Sequence, residues 1–84
     1  MRKDKRNIKD KLRFVIAAEL KKYREKQGLS QERLARNLQI SVRTYSDLEH
    51  GVTLPSTMTM LYFMAYIETE ELTAFMESIK NSLE

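Results

Sequence analysis

Arg43 and Asp47 stand four residues apart in Val42-Arg-Thr-Tyr-Ser-Asp47, one turn from each other if the segment is helical. A guanidinium is a planar fork. It can grip the major-groove edge of guanine through two hydrogen bonds, worth about 1–3 kcal/mol of discrimination between bases. Val42 has no polar group, and its best base contact is a thymine methyl. Asp47 either accepts from a cytosine amino group, or buttresses Arg43, or does neither. The plainer alternative for the two together is an exposed ion pair worth about 0.2–0.5 kcal/mol. Around them lie groups suited to phosphate oxygens: the Gln31 amide, the hydroxyls of Ser41, Thr44 and Ser46, and His50. For the hydroxyls the alternatives are capping and solvation. For His50 the alternative is an exposed cation at a helix C-terminus, favoured by the dipole.

Other chemistries find little support. There is no Cys, which removes disulfides and thiolate metal sites, and a lone His cannot build a metal cluster. No Gly-rich phosphate loop and no nucleophile–base pair are present, so the chain is not read as an enzyme. No cofactor is expected, and 84 residues leave no second domain for a small-molecule substrate. The apolar run ending at Ile67 falls far short of the roughly 20 residues that span a bilayer. The N-terminus lacks the apolar stretch of a signal peptide. No membrane association is expected, and the default location is cytoplasmic. The net charge of +3 hides a strong asymmetry: residues 1–43 carry +9 and residues 44–84 carry −6. One surface suited to a polyanion explains this. A solvated charged face on each half is the competing account.

The elements that must hold these groups follow from apolar spacing. Ile8, Leu12, Val15, Ile16, Leu20 and Tyr23 recur every three or four residues and predict a helix over about Asn7–Lys26, closed by Gly28 in a left-handed position. Ser30 caps a second helix, about Gln31–Leu38, with Leu34, Ala35 and Leu38 inward. Gln31 opens that helix, where free N–H groups attract phosphate; the plainer alternative is a solvated first-turn residue. Ser41 caps a third helix, about Val42–His50, with Tyr45 and Leu48 inward. Ser56 caps a fourth, about Thr57–Ile67, with Met60, Phe63, Met64 and Ile67 inward; it is apolar nearly all round. Thr69 is expected to cap a fifth, about Glu70–Leu83, striped by Leu72, Phe75, Met76, Ile79 and Leu83. Met58, Met60, Met64 and Met76 read as core filler. The architecture is all-α, one five-helix domain over 1–84 with a helix-turn-helix at about 31–50. Residues 1–7 form a basic N-terminal arm that either tracks phosphates or merely solubilises.

Leu20-x3-Arg24, Gly28-Leu-Ser-Gln31, Leu34-Ala35, Ile40-Ser41, Thr44-Tyr-Ser-x-Leu-Glu-x-Gly51 and Pro55-Ser56 occur in fixed order. In this the chain resembles the Xre-type helix-turn-helix family, the DNA-binding fold of phage lambda repressor and Cro. The resemblance covers Ile16 to about Ile67 and implies a lambda-repressor-like fold. It further implies that residues 42–50 enter the major groove of double-stranded DNA, with Val42, Arg43 and Asp47 toward bases and Gln31 on the backbone. Arg24 and Glu49 would form a structural ion pair that sets the angle of the third helix. The implied function is a transcriptional regulator, a repressor, acting as a homodimer. The extra C-terminal helix at 68–84, with Tyr62 and Tyr66 of the fourth helix, is the candidate dimer contact. The alternative is an antitoxin or other protein-interaction module on the same fold, gripping a partner through helix five and binding DNA for autoregulation. One position departs from the family: Gln39 stands where Gly is usual, implying a turn that is either strained or differently shaped.

Overall fold

The computed structural model describes residues 5–84, with side chains from Ile8 onward. Lys3, Lys5 and Arg6 of the expected arm over 1–7 therefore lie outside the described side chains. Five helices follow one another: α1 (Lys5–Gln27), α2 (Gln31–Asn37), α3 (Val42–Glu49), α4 (Thr57–Tyr66) and α5 (Thr69–Leu83). The described residues contain no strand.

Capping explains most of the boundaries. Ser30, Ser41 and Ser56 each sit in extended conformation and accept a hydrogen bond from the backbone N–H three residues on, at Arg33, Thr44 and Thr59. The first three helices end in the same way. After α1, Gly28 N–H donates to the Glu25 carbonyl and Leu29 N–H to that of Arg24; after α3, Gly51 and Val52 do the same toward Leu48 and Asp47. Both glycines have positive φ, +68° and +72°. α2 closes identically, through Gln39 to Arg36 and Ile40 to Ala35, but here the left-handed residue is Gln39 at φ +63°. The turn is thus strained rather than differently shaped.

The fifth helix corrects an expectation. Thr69 is its first helical residue and Glu68 holds the cap position, with no side-chain hydrogen bond to the backbone. The Thr69 carbonyl instead accepts from the Thr73 hydroxyl. This register places Phe75 in the core with Leu72 and Ile79 packed beside it, and that burial outweighs one missing cap.

The core gathers Ile16, Leu20, Leu34, Ala35, Leu38, Tyr45, Leu48, Phe63, Ile67 and Phe75. Tyr23, Phe63 and Phe75 join α1, α4 and α5 through two edge-to-face contacts, with ring centroids 5.4 and 5.6 Å apart. α5 runs antiparallel along α1, tied by a Lys26–Glu71 ion pair at 3.4 Å and by a hydrogen bond from Ser78 to Glu19. Two methionines expected in the core are outside it: Met58 is 59% exposed and Met76 47%. α4 is apolar on every side, so its sequence carried no periodic signal to say which methionine faces in. Leu83 continues the α5 stripe past the core, whereas Met76, between the buried Phe75 and the packed Ile79, is turned outward.

Candidate nucleic-acid interface

α3 is seated by its buried face. Tyr45 and Leu48 are almost inaccessible, which turns the opposite side of the helix outward. There Val42 is 44% exposed and Arg43 and Thr44 are exposed, whereas Ser46 and Asp47 are half-buried. The ion pairs among the described residues lie elsewhere, at Asp10–Arg13, Arg24–Glu49 and Lys26–Glu71. The Arg43–Asp47 pair is therefore not formed, and the Arg43 guanidinium is available to a ligand.

The polar groups expected on phosphate are engaged within the protein. The Ser41 hydroxyl accepts from Thr44 N–H at 3.0 Å and donates to the Thr44 hydroxyl at 2.9 Å. His50 ends the helix, its Nδ1 lying 2.7 Å from the Ser46 carbonyl and 3.3 Å from the Ser46 hydroxyl. Gln31 is half-buried, and its amide donates to Glu49 Oε1 at 3.2 Å.

Glu49 is the node of the site. Arg24 grips it with two hydrogen bonds, Nε to Oε2 and Nη2 to Oε1, both 2.9 Å, and also donates from Nη1 to the Leu29 carbonyl at 3.1 Å. The Tyr45 hydroxyl donates to Oε2. The carboxylate is thus shared by α1, α2 and α3, with its side chain only 5% exposed. Burial alone would raise its pKa. The hydrogen bonds from Arg24, Tyr45 and Gln31 outweigh burial and hold the pKa down to about 2. The hydrogen bond to Glu49 strengthens the hold of Arg24 on its proton, while burial, followed by that same carboxylate, pushes the Tyr45 phenol up. Each group is thereby fixed in one charge state.

The part Tyr45 plays here was hidden in the sequence, where it read only as an apolar anchor. Its spacing of four from Glu49 on one helix was the available signal. Phe14 lies off the apolar stripe of α1 and is 67% exposed. Its ring lies over Gly51, where a Cβ would stand 3.4 Å from it.

The arrangement is a short helix with an exposed N-terminal half, bolted underneath to two other helices through one carboxylate. The sequence profile of the helix-turn-helix family, in its Cro/C1-type form, matches residues 20–61, half of the chain. No curated protein and no solved structure gives a significant match.

Proposed function

The chain belongs to the Cro/C1-type helix-turn-helix family of DNA-binding regulators, and we propose that it binds one specific double-stranded DNA sequence and represses transcription from it. The observation that carries this reading is the contrast across α3, a locked underside beneath an exposed Val42 and an unpaired Arg43. A helix so placed offers its first turn to the major groove. In this reading Val42, Arg43 and Asp47 read bases, and Gln31, Ser41, Thr44, Ser46 and His50 contact the backbone. The local hydrogen bonds of Ser41, Thr44, Ser46 and His50 fix where they point before DNA arrives.

A homodimer on a two-fold related site, with half-sites about one helical turn apart, fits a second observation. α4 carries no charged residue, and Met58, Leu61, Ala65 and Tyr66 are exposed along its outer face, with Tyr62 half-buried beside them against the core. Two copies meeting there would face no charge repulsion. The same face suits a protein partner of an antitoxin. Sedimentation separates the two readings, because a monomer that dimerises only with a foreign chain contradicts self-association.

The test is selection of bound duplexes from a random pool. Two half-sites in inverted orientation are expected, with a dissociation constant near the nanomolar range and a steep loss of affinity with added salt. Arg43→Ala should weaken binding to the selected duplex by about 1–3 kcal/mol and relax the preference at one guanine. Binding that is weak and indifferent to sequence would refute the proposal.

A further inference from the structure

Gln31 has two claims on its amide: Glu49 in the free protein and, on the DNA-binding reading above, a backbone phosphate in the complex. How readily it leaves Glu49 depends on what the carboxylate keeps. Oε1 receives Arg24 Nη2 and the Gln31 amide; Oε2 receives Arg24 Nε and the Tyr45 hydroxyl. When Gln31 departs, Oε1 retains one donor and Oε2 two, so neither oxygen is left bare in a site that is closed to water. Donors to one carboxylate also compete for the same negative charge. A third strong donor on Glu49 weakens its grip on the fourth. The Gln31 contact is longer than either Arg24 bond, 3.2 Å against 2.9 Å.

We propose that Tyr45, completely buried and unable to touch DNA, is a positioning residue for DNA affinity: its hydroxyl keeps Glu49 satisfied and so releases the Gln31 amide to phosphate. This rests on the reading of α2 and α3 as the DNA-binding face. Removing the hydroxyl leaves Oε2 with a single donor, and Glu49 then holds Gln31 more tightly. DNA has to break a stronger bond to recruit the same amide.

The consequence is a coupling that loss of packing would not produce. Four proteins are compared on the duplex selected from the random pool, at one salt concentration: wild type, Tyr45→Phe, Gln31→Ala and the double variant. Tyr45→Phe should weaken binding about two- to tenfold when Gln31 is present, and by less than about twofold in the Gln31→Ala background. Equal losses in both backgrounds, or no loss with Gln31 present, overturn the proposal. Should Tyr45→Phe fail to fold, nitrogen–proton spectra of the wild type decide. On addition of the duplex the Gln31 carboxamide signals should move while the Arg24 Nε–H signal holds its place. A Gln31 carboxamide that does not respond overturns the proposal. A wild type that selects no duplex at all defeats the DNA reading as well, which the pool reveals before any variant is made.

Discussion

Two three-helix junctions hold this domain, and neighbouring residues of α1 begin both. Tyr23 starts the first, where its ring meets Phe63 of α4 and Phe63 meets Phe75 of α5. Arg24 starts the second, where it meets Glu49 of α3 beside Gln31 of α2. The aromatic junction is held by area and shape. It gains from burial and tolerates a partner of similar volume. The polar junction is held by direction. Desolvating two charges offsets much of their attraction, so the pair adds little net stability; removing one partner, however, strands the other. The first junction buries apolar area, and the second ties α3 to α1 and α2 through one carboxylate.

Truncation should hurt both junctions by similar amounts, and conservative replacement should separate them. Phe63→Ala, at the centre of the stack and 2% exposed, is expected to cost about 3–5 kcal/mol. Glu49→Ala should cost about 3–5 kcal/mol as well, because the Arg24 guanidinium, 17% exposed, loses its counter-charge. Phe63→Leu should recover much of the loss, whereas Glu49→Asp, one methylene short of Arg24, should recover little. Urea unfolding measures all four. If Glu49→Ala costs less than about 1 kcal/mol, the polar junction does not clamp the three helices. Stability should fall before DNA binding is considered, since a domain of this size has only about 5–15 kcal/mol in total.

Acid should open one junction and not the other. The Glu49 carboxyl titrates near 2 in the folded protein, below its ordinary 4.5. The advantage of its ionised over its protonated form is complete above pH 4.5, declines as pH falls through 4.5 toward 2, and is gone below that, about 3 kcal/mol in all. Glu49→Gln cannot titrate. The stability gap between wild type and Glu49→Gln should therefore hold from pH 6 to about 4.5 and narrow from there to pH 3 as urea unfolding is repeated down that range. The gap between wild type and Phe63→Leu should stay constant over the same range. Parallel behaviour of the two variants would show that another carboxylate governs acid unfolding.

The two junctions also differed in how far they could be read from the chain. The helices were legible because their punctuation is local: Gly28, Ser30, Ser41, Gly51 and Ser56 each act within four residues of themselves. Tyr45 and Leu48 announced their inward face by spacing, and the Arg24–Glu49 pair followed from the family resemblance. Phe63 and Phe75 were expected inside, but nothing local could say that their rings meet Tyr23 edge to face. The Tyr45 hydroxyl escaped notice because an apolar ring explains its burial completely; its partner becomes visible only once Glu49 is known to point inward. Thr69 misled because Glu68 and Thr69 both precede an acidic first turn, and the choice between them is made by where Phe75 must land. Met58 and Met76 misled because methionine packs equally well on either side of a boundary.

The turn leading into the polar junction carries the smallest of these effects. Gly28 and Gly51 adopt the left-handed conformation freely, whereas Gln39 takes it at φ +63° at a cost of about 1–2 kcal/mol. Gln39→Gly removes that strain. It also gives the unfolded chain more freedom, which returns about 0.5–1 kcal/mol. The net gain should be roughly 0.5–1 kcal/mol, a rise in melting temperature of about 2–8 °C. Gln39 is exposed and its turn already has the hydrogen bonds of the two glycine turns, so α3 should not move and DNA affinity should be unchanged. A higher melting temperature with altered affinity would mean that the strained turn, and not Glu49 alone, helps set the angle of α3.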